Sequence, residues 1–113
     1  MTSEPLAWPD FEKVDIRTGT VLAAEPFPQA RKPAYKLTID FGNLGIKRTS
    51  AQLTSLYQAN DLVGKQVVAV VNFPPKQIAS FMSECLILGA VADDGAVTLL
   101  QTERVTENGL RIG

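Results

Sequence analysis

The sequence predicts an all-β domain that closes into a small barrel, and three observations support this prediction. β-Branched and aromatic residues occur in about five short runs, which clusters of Gly, Pro, Asn and Asp separate. The run over residues 67–71 is apolar at every position, as in a strand that is shielded on both faces. The 113 residues are enough for one domain with its own core. We therefore expect a single domain over residues 1–113, built around the strand at 67–71.

A short helix or turn is predicted around residues 8–15, before the first strand. Pro9 stands at a plausible first helical position and acidic residues follow it, which is typical of a helix N-terminus. Apolar residues recur three apart and would share one side of this turn. Together with the first residue of the next strand, they either cap the barrel or contact a second subunit, and we expect the second. The predicted dimer contact consists of Trp8, Phe11, Val14 and Ile16.

The first two strands are predicted at residues 16–24 and 34–41. Gly19 lies inside the first strand and suggests a bulge or a strong bend. The second strand alternates between apolar and polar residues, so one face is expected to be buried and the other wet. Residues 25–33 contain three prolines and are predicted to form a loop between the two strands.

A hairpin turn at residues 42–45 is predicted to lead into a third strand at 46–51. Weak helical spacing over residues 54–62 predicts a short connecting helix. The fourth strand is predicted at 66–73 and the fifth at 84–91.

After the fifth strand, Asp93-Asp94-Gly95 predicts a hairpin turn into residues 97–100, and Asn108-Gly109 predicts one more turn. Five strands with one helix after the third are expected of an OB-type Greek-key barrel with a short helix and terminal extensions. Strand spacing alone leaves other small barrels open.

The amino-acid composition limits the classes of function that are expected for this protein. The chain has no histidine, so it lacks the commonest general base and metal ligand, and its single cysteine excludes a disulfide framework. We therefore expect that the protein is not an enzyme and that it has neither a metal site nor a cofactor. The start has no signal-peptide pattern, and no stretch approaches the roughly 20 apolar residues of a membrane span. We expect a cytoplasmic protein without membrane insertion.

The charges are unevenly distributed, although the net charge is only −1. Residues 31–76 carry seven basic side chains against two acidic ones, a balance of +5. The residues before 31 and those after 76 each carry two basic side chains against five acidic ones, a balance of −3. A nearly neutral protein can therefore present one basic face to a nucleic acid.

Several segments of the chain resemble the tRNA-binding domain family in order and spacing. These are residues 15–21, residues 34–37, residues 64–76 and the pair Ser83-Glu84. The family's domain occurs at the end of some aminoacyl-tRNA synthetases and as stand-alone dimers. Within it, the sequence is most similar to a branch of small, secretion-associated chaperones, through residues 26–28, 30–42, 44–48 and 72–75. The resemblance covers about residues 11–112 and implies an OB fold, a homodimer, binding of tRNA and binding of unfolded or export-bound polypeptides.

The predicted tRNA-binding residues combine the basic side chains of the middle of the chain with polar residues of the family's loop motif. They are Arg31, Lys32, Lys36, Lys47, Arg48, Asn72, Lys76, Ser83 and Glu84. We expect Lys36, Lys47 and Arg48 to lie on the sheet region that OB folds use for nucleic acid. The three polar residues offer hydrogen bonds to a ribose or a base edge, or they satisfy backbone groups of their own loop. For Glu84, a pairing with Arg17 or Lys76 is a further alternative.

The loop after the fourth strand is unusually apolar for a connection, and such a patch marks a partner site when it is exposed. The predicted polypeptide-binding residues are Phe73, Pro74, Pro75, Ile78, Phe81 and Met82. For some of them, packing over the end of the barrel is the alternative. The sequence thus predicts a non-enzymatic, export-related chaperone that binds unfolded polypeptides and tRNA as a homodimer. The alternatives are a structure-specific tRNA-binding protein without a chaperone role and a dimerisation module without a ligand.

Overall fold

The computed structural model describes residues 4–113, which form two short α-helices and nine strands. In chain order these are α1 (Trp8–Glu12), β1 (Ile16–Pro26), β2 (Tyr35–Asp40), β3 (Ile46–Ala51), α2 (Ala59–Leu62), β4 (Gln66–Val70), β5 (Lys76–Ile78), β6 (Phe81–Ser83), β7 (Leu86–Ile87), β8 (Gly89–Val91) and β9 (Val97–Leu99). The turn between β2 and β3 is a single turn of 3-10 helix (Gly42–Leu44).

Five strands form an antiparallel sheet in the order β3-β2-β1-β4-β7, and β5-β6 and β8-β9 form two separate hairpins. The sheet curls until its two edges approach each other. The gap between them is bridged just before β7, where the Glu84 N–H donates to the Arg48 carbonyl over 2.8 Å. The predicted all-β, OB-type barrel of five strands is confirmed.

β4 is buried at all five of its positions, and four of these belong to the apolar run at 67–71 that predicted a strand shielded on both faces. It lies between β1 and β7, so its side chains meet the barrel interior on one face and the covering segments on the other. The alternation of β2 is confirmed as well, since Leu37 and Ile39 are buried and Lys36 and Thr38 are only half-buried. The core forms where these two strands and β1 enclose Phe41 and Leu62.

Gly19 has a different role from the predicted bulge. The register of β1 against β2 shifts between Val21 and Ala23, two residues further along. At Gly19 a Cβ atom would stand 2.7 Å from the side chains of Ile39 and Phe41. The glycine is therefore required by close packing of the barrel core, and the bulge lies elsewhere.

Three further predictions need correction. The helix expected over residues 54–62 covers only α2, because residues 54–56 form a turn. The predicted fifth strand is divided into β7 and β8, and β8 pairs with β9 around the predicted turn. The connection at 73–82, expected to be a loop, contains the β5–β6 hairpin, whose turn residue Ala79 has a φ of 54°.

The segment 101–112, which we call the C-terminal strap, returns along β1 and β4. The buried Gln66 side chain anchors it, because Nε2 donates to the Thr106 carbonyl over 2.7 Å and Oε1 accepts from the Thr106 N–H over 3.0 Å. The hydroxyl of Thr18 donates to the Glu107 carbonyl over 2.7 Å and accepts from the Leu110 N–H over 3.0 Å. The strap thus satisfies polar groups that the barrel itself leaves without partners.

Candidate binding groove

Two adjoining cavities run along the end of β3 and together form what we call the groove. One cavity, of about 870 Å³, lies between the loop at residues 27–34 and the β5–β6 hairpin, and we call it the polar cavity because Arg31 and Lys32 line it. The apolar cavity, of about 410 Å³, lies between the β5–β6 hairpin and β7. The two cavities share Ser50, Gln52, Lys76 and Ile78 as lining residues.

The loop at residues 27–34, which we call the arm, is joined to the β5–β6 hairpin by a small apolar cluster separate from the barrel core. Phe27 and Phe81 stack edge to face, with ring centroids 5.4 Å apart. Both rings are buried, and Ala34 completes the cluster. The arm and the hairpin therefore form two walls of the groove that hold each other in place.

Phe81 is consequently not part of an exposed apolar surface, and that expectation was wrong. It is only 6% exposed, because Phe27 from the arm covers it. The other predicted polypeptide-binding residues divide into two groups. Phe73, which is 55% exposed, lines the apolar cavity together with Pro74 and Ile78. Pro75 and Met82 are exposed but do not line either cavity.

Lys36 and Arg48 lie on the outer face of the sheet, next to the buried phenylalanines. The Lys36 ammonium is 5.1 Å from the Phe27 ring centroid, and the Arg48 guanidinium is 4.7 Å from that of Phe81. Glu25 Oε1 lies 4.0 Å from Lys36 Nζ and 3.9 Å from Arg48 Nη2. These cations thus contact aromatic rings, and one carboxylate offsets part of their charge.

Lys47 does not share this face. It pairs with Ile39 in the β2–β3 register, whereas Arg48 pairs with Thr38, and successive side chains of a strand point to opposite faces. The prediction that Lys36, Lys47 and Arg48 form one basic surface is therefore wrong for Lys47. Its positive charge instead acts on Cys85 at the open end of the barrel.

Arg31, Lys32 and Lys76 supply the uncompensated positive charge of the groove. All three are exposed and line the polar cavity, and Lys76 also lines the apolar cavity. Within residues 4–113, no carboxylate lies within 4.0 Å of any of these three side chains. This part of the predicted basic face is therefore brought together around one concavity.

The three predicted polar contacts to RNA have partners inside the protein. Asn72 binds the segment after α1, with Oδ1 accepting from the Asp15 N–H over 3.0 Å and Nδ2 donating to the Lys13 carbonyl over 2.6 Å. The Ser83 hydroxyl lies 3.0 Å from that of Thr49. These contacts hold the N-terminal segment against the end of β4 and the hairpin against β3.

Glu84 closes the barrel. Its Oε1 accepts a hydrogen bond from the Arg48 N–H over 2.9 Å, and its own N–H donates to the Arg48 carbonyl. The expected partner Arg17 pairs with Asp15 at 2.7 Å, and Lys76 forms no ion pair with Glu84 within 4.0 Å. Neither of the two ion pairs considered as alternatives for Glu84 is formed, and its partner is the Arg48 backbone instead.

Cys85 lies at the floor of the apolar cavity and is 7% exposed. Burial raises the pKa of its thiol to about 11, although the hydrogen bond with Thr49 and the charge of Lys47 act in the opposite direction. The thiol is therefore neutral near pH 7 and contributes an apolar surface to the cavity.

The predicted dimer residues lie mostly at the surface. Trp8 is 78% exposed and lines a shallow apolar depression of about 260 Å³ with Leu6, Ala7 and Phe11. Capping of the barrel, the alternative for this cluster, is therefore wrong for Trp8. Val14 is exposed and Ile16 is half-buried in β1, where it pairs with Val70.

Four of the residues at or beside the groove that sequence reasoning missed bear on its chemistry: Ser50, Gln52, Leu86 and Glu25. The alternation of β3 could have placed Ser50 on the face of its register partner Lys36. The other three gain their position from contacts between distant segments, which local patterns do not encode.

Two general findings complete the description of residues 4–113. No helix in this range is long and apolar enough to cross a membrane. No group of three or more Asp, Glu, Cys or His side chains is arranged to hold a metal ion in the same range.

A nearly closed five-stranded barrel with a basic and apolar groove beside the end of β3 defines an OB-type domain. The family model described as "Putative tRNA binding domain" matches residues 16–111. The chain therefore belongs to the tRNA-binding domain family.

Within this family, two similar crystal structures are CsaA chaperones. The one from Bacillus anthracis is 51% identical, with a TM-score of 0.93 over 97% of this chain and all of that protein. The one from Picrophilus torridus is 48% identical, with a TM-score of 0.90 over 96% of this chain and all of that protein. The resemblance to the chaperone branch is thus confirmed.

The chain is also similar to methionine–tRNA ligases. The enzyme from Methanocaldococcus jannaschii is 35% identical over 90% of this chain, but the chain spans only 15% of that enzyme's length. The ligase similarity therefore concerns the tRNA-binding portion of those enzymes. Together, the comparisons support a chaperone or tRNA-binding role.

Proposed function

We propose that the protein is a non-enzymatic homodimer that binds unfolded, export-bound polypeptide segments and tRNA in the groove. The observation that carries this proposal is the junction of the two cavities, where Phe73, Pro74 and Ile78 adjoin a charged wall of Arg31, Lys32 and Lys76. The apolar side chains can bury apolar groups of a client, and the cations can neutralise phosphates. The similarity to CsaA chaperones supports the polypeptide ligand, and the family match supports tRNA.

The chaperone part is tested with a chemically denatured client whose aggregation is followed by light scattering. We expect the protein to suppress aggregation at an equimolar ratio of dimer to client. Phe73→Asp places a charge in the apolar cavity and should abolish suppression. Met82→Asp is the matched control, because Met82 is also an exposed apolar residue but lies outside both cavities. Equal loss in both variants, or no suppression by the wild type, contradicts the proposal.

The tRNA part is tested through the salt dependence of binding. Replacing Lys32 and Lys76 by Ala should weaken tRNA binding and reduce the log-log salt slope by about 0.7–0.9 for each phosphate that the variant no longer neutralises. Lys65→Ala/Arg104→Ala is the matched control, because it removes the same charge from a separate cavity. If both double variants lose the same affinity, the groove is not the tRNA site.

A tRNA-binding protein without a chaperone role is the second candidate function. The uncompensated charge of Arg31, Lys32 and Lys76 favours it, since a polypeptide groove alone does not need this wall. It holds if the wild type binds tRNA with the predicted salt dependence but leaves client aggregation unchanged.

We also propose that Trp8 and Phe11 form the dimer contact, with Val14 and Ile16 at its margin. Burial of an exposed Trp side chain against a second copy removes a large apolar surface from water. Trp8→Asp should produce a monomer in sedimentation velocity. Because Trp8 is outside the barrel core, thermal unfolding should remain cooperative, and a persisting dimer refutes the assignment.

A further inference from the structure

Phe73 presents an aromatic ring at the wall of a cavity that also contains polar groups. Phe73 is 55% exposed and lies three residues after Val70, the buried last residue of β4. Pro74 and Leu86 line the same cavity and leave a volume of about 410 Å³. This volume lies within the range of about 300–1,000 Å³ that small-ligand pockets occupy.

The polar groups at the edge of this cavity suit the edge of a nucleobase. The Ser50 hydroxyl and the Gln52 side-chain amide line the cavity, and neither forms a side-chain hydrogen bond within residues 4–113. An amide offers both a donor and an acceptor, and a hydroxyl offers the same. Single-stranded nucleic acids are bound in this manner, by stacking on an aromatic face and by hydrogen bonds to the unpaired base edge.

The positively charged side chains of the groove continue from this cavity along the path that a bound RNA strand would take. Lys76 lines both cavities and therefore stands where the base site meets the polar cavity. Arg31 and Lys32 line the further part of the polar cavity, on the arm. A phosphate next to a base in the apolar cavity would thus meet Lys76, and the next phosphates would meet the arm.

We propose that the apolar cavity binds one unpaired nucleotide of the RNA, with its base stacked on Phe73 and its phosphate at Lys76. This inference rests on the proposed tRNA-binding function and names the part of the RNA that the groove takes. An apolar side chain of a polypeptide is the other possible occupant of the cavity, and the test separates the two. Ser50 and Gln52 contact the base edge, and the arm holds the flanking backbone.

The experiment measures the binding of a short fluorescent oligoadenylate and of a blunt-ended, fully paired RNA duplex, with full-length tRNA as the reference. Phe73→Leu keeps an apolar side chain but removes the ring, and should weaken binding of the single strand roughly 5-fold or more, since stacking contributes about 1–3 kcal/mol per base. Phe73→Trp keeps a ring and should retain binding. Met82→Leu is the control, because Met82 lies outside the cavities. When 2-aminopurine is placed in the RNA strand, its fluorescence should be quenched on binding to the wild type, and this quenching should disappear with Phe73→Leu.

The outcomes distinguish this inference from the proposed function. If the wild type binds tRNA but Phe73→Leu retains full affinity for the single strand, or if the duplex binds as tightly as the strand, the inference is overturned and tRNA binding stands. If Phe73→Leu impairs only the suppression of client aggregation, the cavity takes a polypeptide side chain and the inference is again overturned. A wild type that binds neither tRNA nor the single strand refutes the proposed tRNA-binding function itself.

Discussion

Substitutions of Glu84 can distinguish a contribution of this residue to the stability of the barrel from a direct contact with RNA. Glu84→Ala removes the acceptor for the Arg48 N–H, which lies 2.9 Å from the carboxylate and bridges β3 to the segment before β7. Loss of such a hydrogen bond to a charged, half-buried acceptor costs about 1–2 kcal/mol. In a domain of this size, that cost lowers the midpoint of thermal unfolding by roughly 4–10 °C. Glu84→Gln retains an acceptor oxygen at the same place and should cost clearly less.

The assay is thermal and urea unfolding of the wild type and both variants, followed by circular dichroism, with tRNA titrations alongside. We expect the wild type to be the most stable protein, Glu84→Gln to be less stable and Glu84→Ala to be the least stable. We also expect Glu84→Gln to bind tRNA with the affinity of the wild type. Equal stability of all three proteins refutes the bridging role. Loss of tRNA affinity in Glu84→Gln, with stability preserved, shows that the carboxylate contacts RNA.

Three further predictions follow from the packing. Gly19→Ala should destabilise the fold by about 1–3 kcal/mol in urea unfolding, because its Cβ meets two core side chains, whereas Gly113→Ala, in open space, should be neutral. The alkylation rate of Cys85 should be about 100-fold below that of an ordinary cysteine at pH 8 and should keep rising with pH toward about 11, since only the thiolate reacts. An early plateau near pH 9 contradicts the raised pKa. Finally, tRNA and an unfolded client should compete for binding to the protein, because Phe73 and Lys76 contact both ligands in the proposed groove. If the protein can be saturated with both ligands at the same time in a titration, a shared groove is excluded.

The barrel was predictable because its strands have strong local signals. The unbroken apolar run of β4 and the alternation of β2 each specify burial from the residues themselves. The role of Gly19 was not predictable in the same way, because the reason for the glycine is the ring of Phe41, which is distant in sequence.

The groove was only partly predictable for a similar reason. The basic segment that carries Arg31, Lys32 and Lys76 was visible as a local charge imbalance, and the structure gathers these three residues. The burial of Phe81 depends on Phe27, which belongs to a different loop. The apolar character of the segment around Phe81 therefore does not indicate whether the ring is buried or exposed. The assignment of Lys47 failed because the alternation of strand faces separates it from Arg48, its neighbour in sequence.

The C-terminal strap has a consequence for the order in which the molecule can fold. Thr18 and Gln66, which are buried, obtain their hydrogen-bond partners from residues 102–110, near the other end of the chain. The hydrogen bonds of the first and fourth strands are therefore complete only when the segment 102–110 has docked. Closing contacts of this sequence separation form late and slowly. We therefore expect docking of the strap to be a late step of folding, which follows the pairing of the barrel strands.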